Sequence, residues 1–126
     1  MDKLKILLPL VALVLLTSCA ATMTNLTPLT QSRNTNGLYA VEVALSSRQQ
    51  SLRWDSITPY VVANGQFIKM RPTPLMTNRW ETLIPVPADR NGVSYRYKFE
   101  YQYNGIGGRR SETATSREYD LHISEP

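Results

Sequence analysis

Val93-Ser94-Tyr95-Arg96-Tyr97-Lys98-Phe99-Glu100-Tyr101-Gln102-Tyr103 alternates without a break: every odd position is apolar or aromatic and every even position is polar or charged. Successive side chains of a strand point to opposite faces. The run therefore predicts one long strand with five rings on one face and Arg96, Lys98, Glu100 and Gln102 on the other. At helical spacing the same rings would be scattered around the whole circumference, with no coherent side to bury. Each buried ring removes up to ~150–250 Å² from water, so most of this ladder belongs to a core, and a second layer must cover it. Tyr101 and Tyr103, nearest the strand end, are the rings expected to reach solvent.

The neighbouring runs carry the same period. Leu38–Leu45 puts Tyr39, Val41, Val43 and Leu45 on one side, and Asn78–Ile84 groups Trp80, Thr82 and Ile84. Tyr60–Ala63 and Gln66–Met70 flank Asn64-Gly65, which suits the two positive-φ positions of a type I′ hairpin turn. Ser51–Trp54 is a short strand, and Glu112–Ile123 is the last, with Tyr119, Leu121 and Ile123 together. Pro85 and Pro87 mark an edge or a strand end, while Asp89–Gly92 and Asn104–Gly108 are turns. Seven strands and no sustained helical period after residue 37 predict an all-β domain over residues 37–126. The expected architecture is a single antiparallel sandwich, with a small β-barrel as the alternative because it satisfies the same alternation.

Trp80-Glu-Thr-Leu-Ile-Pro-Val-Pro followed by Gly92-Val-Ser-Tyr95-Arg-Tyr97-Lys-Phe99-Glu-Tyr101 resembles the late strands of immunoglobulin-like E-set modules, among them those appended to starch- and glycogen-acting enzymes. Asp89…Gly92…Tyr95 is similar to the turn and tyrosine that open strand F of immunoglobulin-like domains. The resemblance spans roughly a quarter of the chain and implies an immunoglobulin-like sandwich. It departs from that pattern in lacking both cysteines of the inter-sheet disulfide.

The N-terminus reads differently. Lys3 and Lys5 precede an apolar run, Ile6–Leu16, whose eleven residues would rise only about 16 Å as a helix. That is too short for a hydrocarbon core of ~30 Å, and Pro9 interrupts it. Residues 1–18 are therefore a targeting segment, excluded from the fold. Leu16-Thr17-Ser18-Cys19 resembles the lipobox of bacterial lipoproteins. The resemblance implies that Cys19 receives a diacylglycerol, becomes the mature N-terminus and anchors the protein to a membrane. Two or three acyl chains hold firmly where one is marginal. Ala20, standing where Asp would favour inner-membrane retention, implies the outer membrane.

Cutting 18 of 126 residues leaves 108, and losing Lys3, Lys5 and Asp2 lowers the formal charge from +4 to +3. That length holds one domain. Residues 19–36, rich in Thr, Asn and Ser, are expected to be the lipidated N-terminus and a flexible tether. Cys19 is the only cysteine and His122 the only histidine. The chain therefore lacks the side chains for a zinc site of about four ligands, and Ser-His-Asp or Cys-His catalysis is uneconomical. Nothing in the spacing of Asp55, Glu81, Asp89, Glu100 and Glu118 pairs two of them for acid–base work. No cofactor is implied, and a tethered, exported protein does not meet nucleic acid.

The expected role is a non-catalytic binding or structural module of the cell envelope, with a protein partner. The alternative is a carbohydrate- or cell-wall-binding module. The contact candidates are Trp54, Tyr101, Tyr103 and the cationic pair Arg109-Arg110, with Cys19 as the lipidation site. Globomycin treatment or Cys19→Ala is expected to leave an unprocessed precursor without lipid, read by electrophoresis and mass spectrometry. Normal processing in either case would refute the lipobox.

Overall fold

The structure is a computed structural model that describes residues 21–48 and 50–126, so the export signal, Cys19 and Ala20 lie outside the described residues. Ten strands follow in chain order: β1 (Ala21–Asn25), β2 (Thr30–Ser32), β3 (Leu38–Ser47), β4 (Leu52–Ala63), β5 (Gln66–Lys69), β6 (Arg71–Pro72), β7 (Arg79–Pro85), β8 (Gly92–Gly105), β9 (Gly108–Thr115) and β10 (Tyr119–Ser124). The aromatic run is β8, and it is the longest.

The strands form two open sheets, ordered β1-β3-β7-β6 and β2-β10-β8-β4-β5, with β9 also paired to β8. Neither closes into a barrel, which removes that alternative. Pairings are antiparallel except β2 with β10. One core lies between the sheets. Tyr95, Tyr97, Phe99 and Tyr101 of β8 enter it with Val61 and Ala63 of β4, and they meet Tyr39, Val41, Val43 and Leu45 of β3 and Trp80 and Ile84 of β7. The indole of Trp80 meets the Phe99 ring edge-on across the two layers, centroids 5.3 Å apart.

Two irregularities bend the second sheet. The register of β4 on β8 slips between Arg53 and Thr58, a bulge that joins two strands the sequence reading had kept apart. Ser56 closes it: the Gln102 N–H donates to Ser56 Oγ at 2.8 Å, and the Ser56 hydroxyl donates to the Arg53 carbonyl at 2.6 Å. The expected last strand is likewise split into β9 and β10 around residues 116–118. There Ser116 Oγ accepts the Tyr97 N–H at 2.9 Å while its own N–H reaches the Tyr97 carbonyl. Both serines keep backbone groups satisfied where the ladder breaks.

Two turn positions depend on their residue type. Asn64 and Gly65 have φ of 52° and 72° in the β4–β5 hairpin, as their pairing predicts. At Gly92 a Cβ would stand 2.6 Å from the Leu121 carbonyl oxygen, so only glycine lets β8 start this close to β10.

The expectation of a flexible tether over residues 19–36 is corrected for its described part, residues 21–36. Residues 21–25 pair with β3 along five registered positions, and residues 30–32 pair with β10. The chain thus crosses from one sheet to the other between Asn25 and Thr30. Thr22 and Thr24 face outward while Met23 packs on the core; threonine supports strands as readily as it fills linkers, and composition alone does not separate the two.

The crossing segment carries the polar heart of the interior. The Tyr97 hydroxyl donates to Asn25 Oδ1 at 2.6 Å, Asn25 Nδ2 donates to the Tyr95 hydroxyl at 2.9 Å, and the Thr27 and Tyr97 hydroxyls lie 3.1 Å apart. Thr27 also accepts the Glu42 N–H at 2.9 Å. The Tyr95 hydroxyl is therefore committed to β1, unlike the immunoglobulin tyrosine that bonds back to the nearby turn. Burial, opposed in part by the Thr27 hydrogen bond, pushes the Tyr97 phenol well above its ordinary 10.0. A raised folded-state value means that this stabilisation is complete below pH 10 and is lost as pH rises above it. Tyr97→Phe is expected to lower stability by ~1–3 kcal/mol near neutrality and to flatten the alkaline fall in stability, both readable from urea unfolding followed by circular dichroism.

Candidate functional site

The residues marked from the sequence separate on folding. Tyr101 is only 8% exposed. Its hydroxyl donates to Glu112 Oε2 at 3.2 Å, and burial together with that carboxylate raises its pKa. Tyr103 is half-buried against the core. The expectation of solvent contact is thus corrected for Tyr101, because the β8–β9 hairpin continues the inward face almost to its tip, while Tyr103 keeps part of its ring in water. Trp54 is 44% exposed, turned outward by the β4 bulge. It lies beside an open groove lined by Leu45, Ser46, Ser47, Thr77 and Asn78. Arg109 and Arg110 are exposed at the start of β9, opposite Asn104 and Tyr103. Cys19 lies outside the described residues.

A second surface was not marked from the sequence. On the outer face of the six-stranded sheet, Phe67 of edge strand β5 is 60% exposed. Tyr60 meets it edge-on at 6.5 Å between centroids, and the Lys98 ammonium sits 5.0 Å from the Phe67 ring centre. Register places Val62 opposite Phe67 and Arg96 opposite Val62, and Lys69 opposite Tyr60. The result is an aromatic patch rimmed by Arg96, Lys69 and Lys98, the last ion-paired with Glu100 at 3.7 Å. The signal was present: Phe67 alternates out of phase with Ile68, which packs on the core. Reading it required knowing which side of a four-residue strand was covered.

At one end of the sheets, Thr73-Pro74-Leu75-Met76 makes a tight turn closed by the Met76 N–H on the Thr73 carbonyl at 3.2 Å. Leu75 occupies the position that needs positive φ, at 65°, and is fully exposed. Glycine or asparagine normally stands there. A bulky leucine in left-handed backbone costs about 1–2 kcal/mol and, being exposed, gains nothing from the core.

The remaining chemistry is modest. Ser94 donates to Asp120 Oδ1 at 2.6 Å in an open polar depression that Asn64, Arg90 and His122 also line. His122 is exposed, as its alternation with Leu121 and Ile123 predicts. Among the described residues, no group of three or more His, Cys, Asp or Glu side chains could hold a metal ion.

No family model matches the chain, and no curated protein matches it. Among solved structures, a crystal structure of a DUF4785 family protein from Legionella pneumophila aligns with a TM-score of 0.45 at 12% sequence identity, over 82% of this chain. The chain covers 28% of that protein. A likeness at this level carries no argument about either protein's activity.

Leu75→Gly is expected to leave the thermal midpoint unchanged or slightly raised, since relief of ~1–2 kcal/mol of backbone strain outweighs the ~0.5–1 kcal/mol of added unfolded-state entropy. A clear drop in the midpoint would show that the leucine supports the fold.

Proposed function

We propose that this chain is a small envelope lipoprotein of the outer membrane whose immunoglobulin-like sandwich binds a protein partner without catalysing a reaction. The strand order supports the immunoglobulin-like reading. With β1, β3, β7 and β6 taken as A, B, E and D, and β10, β8, β4 and β5 as G, F, C and C′, both sheets follow the order of that fold. The address rests on the likeness of Leu16-Thr17-Ser18-Cys19 to a lipobox.

The observation that carries the binding role is the exposed Phe67 patch. Aromatic side chains ringed by polar groups are the residues that anchor protein interfaces. Lys69 and Arg96 near Phe67, with Lys98 shared with Glu100, suit a partner presenting an apolar surface edged with carboxylates. The glycan-binding alternative needs coplanar exposed rings, and of the three marked for it Tyr101 is buried, Tyr103 is half-buried and Trp54 alone is largely exposed.

A photo-crosslinking amino acid at position 67 of the full-length chain, expressed in its own cells, is expected to give a discrete protein adduct. The same probe at Glu81, on the outer face of the other sheet, is expected to give none. Phe67→Glu should weaken recovery of that partner about tenfold or more. Indistinguishable adducts at the two positions would refute the binding face, and retention on purified peptidoglycan that depends on Trp54 would favour the glycan reading.

A further inference from the structure

We propose that the end of the sandwich bearing Trp54, Leu75 and Ile106 lies in the headgroup layer of the membrane to which the chain is anchored, so that the domain is seated on the lipid and does not hang from a leash. The inference rests on the lipid-anchor reading and adds an orientation to it.

Register fixes which features share that end. Ala21 pairs with Ser47 and Arg79 with Ala44, while Leu52 pairs with Tyr103 and Gly105 with Gly108. The Asn78 carbonyl accepts the Leu45 N–H, and the Ser51 carbonyl accepts the Asn104 N–H. The start of β1, the β3–β4 connection, the β6–β7 turn and the β8–β9 turn are therefore gathered at one end of the two sheets. Trp54 and residues 77–78 line the same groove there.

Distance makes the lipid the natural occupant. Cys19 is two residues before Ala21, and two residues span at most ~7 Å. The interfacial layer is itself about 5–8 Å deep on each side of the hydrocarbon core. With acyl chains on Cys19, the first residue of β1 cannot leave that layer by much, and its end of the sandwich goes with it.

The side chains at this end suit such a position. Leu75 and Ile106 are 104% and 98% exposed, at the tips of two turns, with Met76 and Trp54 partly exposed beside them. Tryptophan and short apolar tips are at home at the headgroup boundary. Segments 46–55, 73–79 and 103–110 contain Arg48, Arg53, Arg79, Arg109 and Arg110 against one carboxylate, Asp55, which is already paired with Arg53 at 3.6 Å. That imbalance suits anionic phospholipid. Leu75 adds an independent sign: a strained backbone presents a leucine to solvent, an arrangement with a use only if something apolar receives it.

The test uses the chain from Cys19 onward, which holds every described strand. Its single cysteine is coupled to maleimide-bearing lipid in vesicles of phosphatidylethanolamine and phosphatidylglycerol. Trp54 fluorescence should shift to shorter wavelength and be quenched by lipids labelled near the glycerol end of the acyl chains. Trp54→Phe should abolish the shift, because Trp80 is buried. Leu75→Glu with Ile106→Glu should remove most of the quenching while the protein stays coupled. An unchanged spectrum on coupling would overturn the seat, as would a dimer of the uncoupled chain that the double variant dissolves, since a second copy would then cover this end. Because the anchor is chemical, these outcomes do not depend on lipidation in cells. Missing acyl groups on Cys19 of the cell-derived protein, read by mass spectrometry, would instead overturn the anchor.

Discussion

Five rings on one side of a single strand can leave water only if another layer is laid over them, and that requirement organises the molecule. β8 pairs with β4 along one edge and with β9 and β10 along the other, and β3 and β7 cover its inner face. Burying so many tyrosines also brings hydroxyls into an apolar interior, where each unpaired one is costly. The answer comes from the start of the domain: Asn25 and Thr27 meet the Tyr95 and Tyr97 hydroxyls. The aromatic strand and the N-terminal segment thus need each other, although about seventy residues separate them.

That dependence changes what the N-terminal segment is. A Thr- and Asn-rich stretch after a sequence that resembles a lipobox suggests slack chain, but here it closes an edge of one sheet, crosses over and extends the other. Arg33 secures the far side of the crossing with an ion pair to Glu125 at 2.9 Å and a hydrogen bond to the Arg90 carbonyl at 2.7 Å. A lipid anchor at Cys19 would then sit beside a folded body with almost no spacer between them.

The two surfaces of interest look in different directions. The Phe67 patch lies on the side of the six-stranded sheet, and the Trp54–Leu75–Ile106 end lies at the tips of the strands. A domain seated by its tips would present its side to neighbours in the plane of the membrane. That geometry accommodates both proposals without asking one residue to serve two partners.

The all-β class, the aromatic core strand, the Asn-Gly hairpin and the burial of Trp80 were legible in the chain, because period-two alternation and turn chemistry are local properties. The number of strands was not. β1 and β2 hide in linker-like composition, and the β4 bulge resembles a gap between two strands. Local pattern also misplaced Tyr101, whose exposure depends on how far a hairpin carries the sheet past its neighbours. It was silent on Phe67, whose side of the edge strand is chosen by what packs beneath Ile68. Sequence by itself determined which faces are apolar and where the backbone can turn, since those follow from side-chain order along the chain. Tertiary structure alone decided which apolar side chains stay in water and which distant polar groups satisfy the buried tyrosines, because both depend on the packing of one sheet on the other.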